Sequence, residues 1–142
     1  MSYINSYVKC LFGRTVSPDQ AARALAGSAA QTLGENITAT TSRKTKGPQL
    51  NGHYSYHAIV GAGSSPVGTL TIWYSNLVDP DETNDAHWVQ DAAIASLDLS
   101  VVANTFVNVG NVNAEHVRFK VTRTSGTINL VLWVRSEGVE NR

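Results

Sequence analysis

The chain has 142 residues, with 11 basic and 11 acidic side chains; only 15% of it is charged, while 42% is hydrophobic. That length allows one domain with a core of its own, and the apolar content at zero net charge excludes intrinsic disorder. Balanced charge also argues against a general nucleic-acid binder, and the single cysteine, Cys10, excludes an internal disulfide framework or a cysteine-built zinc site.

Charge and pattern divide the chain near its first quarter. Residues 1–46 carry six basic and two acidic side chains, whereas the remainder carries five and nine. The two parts are expected to attract each other, or each to seek a complementary surface. Tyr3, Ile4, Tyr7, Val8, Leu11 and Phe12 supply apolar surface without a period. Ser17-Pro18-Asp19-Gln20 combines a cap residue, a proline at the first helical position and a glutamine, so a short helix is expected near 18–26, ending at Gly27-Ser28. Residues 1–36 read as an arm that docks on its own domain or on a partner. Arg43-Lys44-Thr45-Lys46, just before Gly47-Pro48, reads as a solvated loop.

From Ile37 onward the pattern alternates every two residues between closely spaced turn signals, which predicts strands. Tyr54, Tyr56, Ala58 and Val60 share one face, and His53, Ser55, His57 and Ile59 the other. Gly61 to Pro66 reads as a loop. Leu70, Ile72 and Tyr74 then alternate with Thr69, Thr71 and Trp73, and a polar, acidic loop spans Asn76 to Asn84. Shorter strands fit His87 to Gln90, Ala95 to Val101 and Thr105 to Val109. Last comes an expected hairpin turning at Ser125-Gly126, with Val117, Phe119, Val121, Leu130, Leu132 and Val134 on its inner face. Its outer face would carry Arg118, Lys120, Val131 and Trp133, with Arg118 over the Trp133 ring. The expected fold is all-β: an antiparallel sandwich of jelly-roll type with about eight strands over 37–137, a leading arm with a short helix, and a tail at 138–142.

Chemistry is sparse. Asp79, Asp81, Glu82, Asp85 and His87 crowd one loop, but neither the glycine nor the closing glutamate of a 12-residue calcium loop is present, so a solvated acidic loop is the better reading. Gly61-Ala62-Gly63 begins like a dinucleotide loop, yet Pro66 replaces the third glycine and a strand follows. No catalytic residue, metal ligand or cofactor site is legible, and Cys10 reads as a structural thiol. Trp73, Trp88 and Trp133, with Tyr54, Tyr56 and Tyr74, raise the alternative of a carbohydrate-binding module, which requires a tryptophan exposed in a groove beside Asn, Asp or Arg. No apolar run approaches a membrane span, and the first residues lack a secretory pattern, so a soluble chain made in a cytoplasm is expected.

Gly68-Thr69-Leu70-Thr71-Ile72-Trp73-Tyr74-Ser75-Asn76, then Trp88 behind the acidic loop, then His116-Val117-Arg118-Phe119 and Thr124-Ser125-Gly126-Thr127 resemble small β-sandwich virion proteins of tailed bacteriophages. Length and leading arm are similar to jelly-roll capsid cement, or decoration, proteins. The resemblance covers roughly half the chain and contains no catalytic motif. It implies a structural protein on the outer surface of a virion capsid, made in the host cytoplasm, that bridges major capsid subunits and pairs with itself as a dimer or trimer. A tail or fibre component is the alternative from the same particle. On this reading Tyr3, Tyr7, Phe12, Arg14, Arg23, Arg43, Lys44 and Lys46 are the expected partner contacts, alongside the exposed strand face of Arg118, Lys120, Val131 and Trp133.

Overall fold

The computed structural model describes residues 2–16, 31–48 and 52–141. In chain order the strands are β1 (Ser2–Phe12), β2 (Arg14–Val16), β3 (Gln31–Leu33), β4 (Glu35–Ile37), β5 (Thr41–Lys46), β6 (Tyr54–Ser75), β7 (Val89–Gln90), β8 (Leu97–Asp98), β9 (Ala103–Val109) and β10 (His116–Asn141). A single 3-10 turn, Asp85–His87, precedes β7. Strands β2 and β3 form a small separate ribbon; the other eight make one antiparallel sheet.

Two long strands dominate that sheet. β6 and β10 stay paired from His116 opposite Ser75 to Ser136 opposite Tyr54. Residues 54 and 74 of a straight strand would lie about 65 Å apart, yet the Tyr54 and Tyr74 hydroxyls are 2.6 Å apart. The ribbon therefore curls back on itself, and its two halves face each other as two layers. In the first layer β10 residues 116–121 lie between β5 and β6, whose far side takes β7 and β8. In the second, β10 residues 128–136 lie between β6 and the strands β1 and β4, and β9 flanks β6.

The inner faces follow the alternation in the sequence. Tyr54, Tyr56, Ala58, Val60, Leu70 and Ile72 from β6 are buried, as are Val117, Phe119, Val121, Leu130, Leu132 and Val134 from β10. Phe119 ties the layers together, with the Tyr54 and Tyr56 rings edge-on at 6.5 and 5.5 Å. Leu11, Phe12 and Ile37 join the same core, so β1 and β4 are strands of the sheet that carry core side chains, whatever else the first 36 residues do.

Two sequence expectations fail at the curl. Gly61 to Pro66 is strand, not loop, and Ser125-Gly126 makes no hairpin. Both segments run on as strands, and three register shifts between Arg123 and Asn129 absorb the curvature. The core phase of β10 moves from odd positions (Val121) to even ones (Ile128) across this stretch. A tight hairpin and a bulged bend both produce that shift, which is why the inner-face assignment stands although the turn does not. Gly126 permits the bend: its φ is +71°, and a Cβ there would come within 2.0 Å of the Ser65 carbonyl oxygen. The expected helix near 18–26 lies outside the described residues.

Candidate functional site

The outer face of the first layer is closed by the chain itself. The acidic loop folds back over it because three cations on that face meet its acceptors. Lys44 Nζ donates to Asp79 Oδ1 at 2.9 Å and to the Pro80 carbonyl at 2.6 Å, and its backbone N–H donates to Glu82 Oε2. Arg118 donates to the Glu82 carbonyl at 3.0 Å and to Asp85 Oδ1 at 2.8 Å, while Lys120 donates to Asp85 Oδ2 at 2.9 Å. The Arg118 guanidinium lies 4.5 Å from the Trp73 ring centre and 5.3 Å from that of Trp88. Bonds to Lys120 and Arg118 hold the Asp85 carboxyl below the usual aspartate range. The loop carboxylates thus answer protein donors, and among the described residues no group of three His, Cys, Asp or Glu is placed to hold a metal ion.

Arg43 points inward, as its register partner Phe119 requires. Its guanidinium sits 4.4 Å over the Phe12 ring, donates to the Leu11 carbonyl and forms a two-pronged pair with Glu35. That pair holds the Glu35 carboxyl below its ordinary value. The basic cluster is therefore strand, not solvated loop, and Arg43 and Lys44 are engaged within the chain. Lys46 is exposed at the end of β5.

The outer face of the second layer is different. Register aligns Cys10, Trp133, His57 and Phe106 in one row across β1, β10, β6 and β9. Phe106 is 62% exposed and Val8 59%, with Ile59 at the edge of the same patch. The His57 and Phe106 rings meet edge-on at 5.9 Å, and His57 Nε2 shares a hydrogen bond with Asn104 Oδ1. A shallow depression of about 300 Å³ between Val8, His57, Phe106 and Trp133 marks the centre of the row. Arg135 and Ser55 border it, so the row is an apolar, aromatic surface with a polar margin. Cys10 donates its S–H to the Phe12 carbonyl, and burial pushes the thiol pKa up, away from thiolate chemistry.

The expected contact residues divide accordingly. Phe12 and Arg118 are fully buried and Val131 is 6% exposed, so none of the three offers surface to a partner. Phe12 is core; Arg118 lies beneath the acidic loop; Val131 occupies a central strand opposite Ile59. Arg118 meets Trp73 rather than Trp133, because β10 pairs with β6 instead of folding on itself. Lys120 and Trp133 are half-buried on opposite layers. Tyr3 and Tyr7 lie on β1 and Arg14 on β2, while Arg23 lies outside the described residues. Sequence reading missed Phe106 as a surface residue. The signal was present: it is the large apolar residue at the polar phase of β9, between Asn104 and Asn108.

A second concavity, of about 740 Å³, opens at the end of the sandwich where β6 stops and β10 starts. Tyr74, Asn76, Leu77, Trp88, Gln90 and Asp91 wall it, facing the loop before β10. The Tyr74 hydroxyl donates to Asp91 Oδ2 at 2.8 Å and bonds the Tyr54 hydroxyl. Among the described residues no helix is long and apolar enough to cross a membrane.

No family model matches the chain, and no curated protein does. A solved structure named "Family 16 Carbohydrate Binding Module-2" is similar at a TM-score of 0.36 and 14% identity, over 92% of this chain and 86% of that one.

Proposed function

We propose that the chain is a non-catalytic structural protein of a virion, a capsid cement that docks its second-layer outer face on major capsid subunits. The observation that carries the reading is the row Cys10, Trp133, His57 and Phe106, an aromatic face left open while the opposite face is covered by the chain's own acidic loop. A soluble monomer ordinarily keeps such patches small, and aromatic centres with polar margins suit protein contact. Arg43, Lys44, Arg118 and Lys120 are committed to internal partners. Attachment then rests on apolar and polar surface more than on ion pairs, in keeping with the low charge of the chain. The strand order supports a jelly roll. Segments pair first with last, inward to the middle: β1 with the end of β10, β5 with its start, the start of β6 with β9, and the end of β6 with β7 and β8.

Such a sandwich is rigid, which suits a clamp that gains strength when one particle presents many sites. The direct test is Phe106→Asp, which places a charge in the centre of the row without touching the core. Capsid affinity is expected to fall roughly 30-fold, the size of a central contact, at an unchanged melting midpoint. Unchanged capsid affinity overturns this placement of the interface. Loss of self-association with capsid binding retained assigns the row to a dimer instead.

A further inference from the structure

We propose that the end cleft is a second binding site, independent of the capsid face, and that its ligand is a neutral saccharide. Its volume of about 740 Å³ lies in the range of small-molecule sites. The floor is apolar and dry: Trp88 and Ala114 are buried there. Leu77 and Val89 are exposed at the rim, 48% and 72% accessible, although both are large apolar side chains. Around this apolar lining stand four amides, Asn76, Gln90, Asn111 and Asn113. Asn76 spends its oxygen on the Glu115 backbone N–H, which leaves its NH₂ group as a donor. His87 Nδ1 accepts from the Asp81 backbone N–H, so the neutral ring carries its proton on Nε2 and offers another donor.

Charge decides the ligand class. Asp91 is the one carboxylate in the lining, and no Lys or Arg joins it, so nothing here compensates a phosphate, sulfate or carboxylate ligand. Asp91 is already oriented, with Oδ2 accepting from the Tyr74 hydroxyl and Oδ1 from the Ala93 backbone N–H. Each oxygen keeps capacity for a further donor. Amides combine a donor pair with an acceptor, as a carboxylate beside them supplies more acceptors. That set matches vicinal hydroxyls, each of which both donates and accepts, while Leu77, Val89 and Val112 fit the C–H face of a sugar ring. The three tryptophans contribute otherwise than a stacking platform would need: Trp88 is floor, Trp73 lies under Arg118, and Trp133 belongs to the other face.

The test is a backbone-amide NMR titration of the intact chain with short, neutral oligosaccharides of glucose and of N-acetylglucosamine, carried to millimolar concentration. Saturable shifts confined to residues 74–77, 86–92 and 111–114 are expected for at least one series. Gln90→Ala combined with Asn113→Ala, both at exposed positions, should weaken that binding roughly tenfold or more with the rest of the spectrum unchanged. Absence of saturable shifts with every series overturns the proposal, as do shifts centred on Trp133 and Phe106. Capsid binding by the doubly substituted chain should be unaffected, so this site and the docking face fail or stand separately.

Discussion

Phe119 lies where the two layers meet, fully buried against Tyr54 and Tyr56. Phe119→Ala should cost about 3–5 kcal/mol, since the rings of two strands cannot both collapse into the space; urea unfolding measures it. An unchanged midpoint would show that the layers do not meet there. Arg118 makes a sharper case because charge and shape act together. Its side chain has 0% exposure, yet its Nε has no hydrogen-bond partner, so the guanidinium is held by its two end nitrogens and by two indole rings. Arg118→Lys keeps the charge and loses the fork and the stacked plane. A loss of about 2 kcal/mol is expected, and full stability in the lysine variant would reduce Arg118 to a point charge. The core residues were legible because alternation marks them locally. The burial of Arg118 was not, because its cover comes from a loop 33 residues earlier in sequence.

At the scale of elements, the acidic loop and the ribbon bend carry the account. Asp85 and Glu35 both have carboxyl pKa values lowered in the fold, the first by Lys120 and Arg118, the second by Arg43. Groups with depressed folded values add stability above their ordinary range, near ~4, and lose it as pH falls through the folded value. The melting midpoint is therefore expected to hold at neutral pH and to decline below roughly pH 4. Asp85→Asn should start lower at neutral pH and decline less steeply in acid; parallel curves for the two proteins would remove Asp85 from the account. High salt should weaken the exposed Lys44–Asp79 pair before the Arg118 contact. The loop's acidity was evident in sequence, but its destination was not, since attraction between the two halves of the chain does not specify Lys44, Arg118 and Lys120. The bend escaped for a different reason. Glycine and serine clusters at 61–66 and 124–127 signal turns when read locally, and only long-range pairing converts them into two strands curving together.

At the scale of the molecule, one face is covered, one is open and one end is hollow. The all-β antiparallel character was legible throughout, and the strands of 37–137 fall close to where alternation put them. What the first residues do was less so: β1 pairs along the end of β10 and sends Leu11 and Phe12 into the core, a role that an aperiodic apolar stretch does not announce. The open face was half-legible, since His57, Ile59 and Trp133 were assigned to outer positions while Phe106 was passed over. The balance of internal ion pairs leaves that aromatic row as the surface with unsatisfied apolar area, and docking through it is the central claim. Sedimentation of the purified chain, alone and mixed with undecorated capsids of its own phage, tests it most directly. Saturable co-sedimentation, lost in Phe106→Asp and retained in the doubly substituted end-cleft variant, is the expected result; a chain that leaves capsids unbound at every concentration contradicts the account.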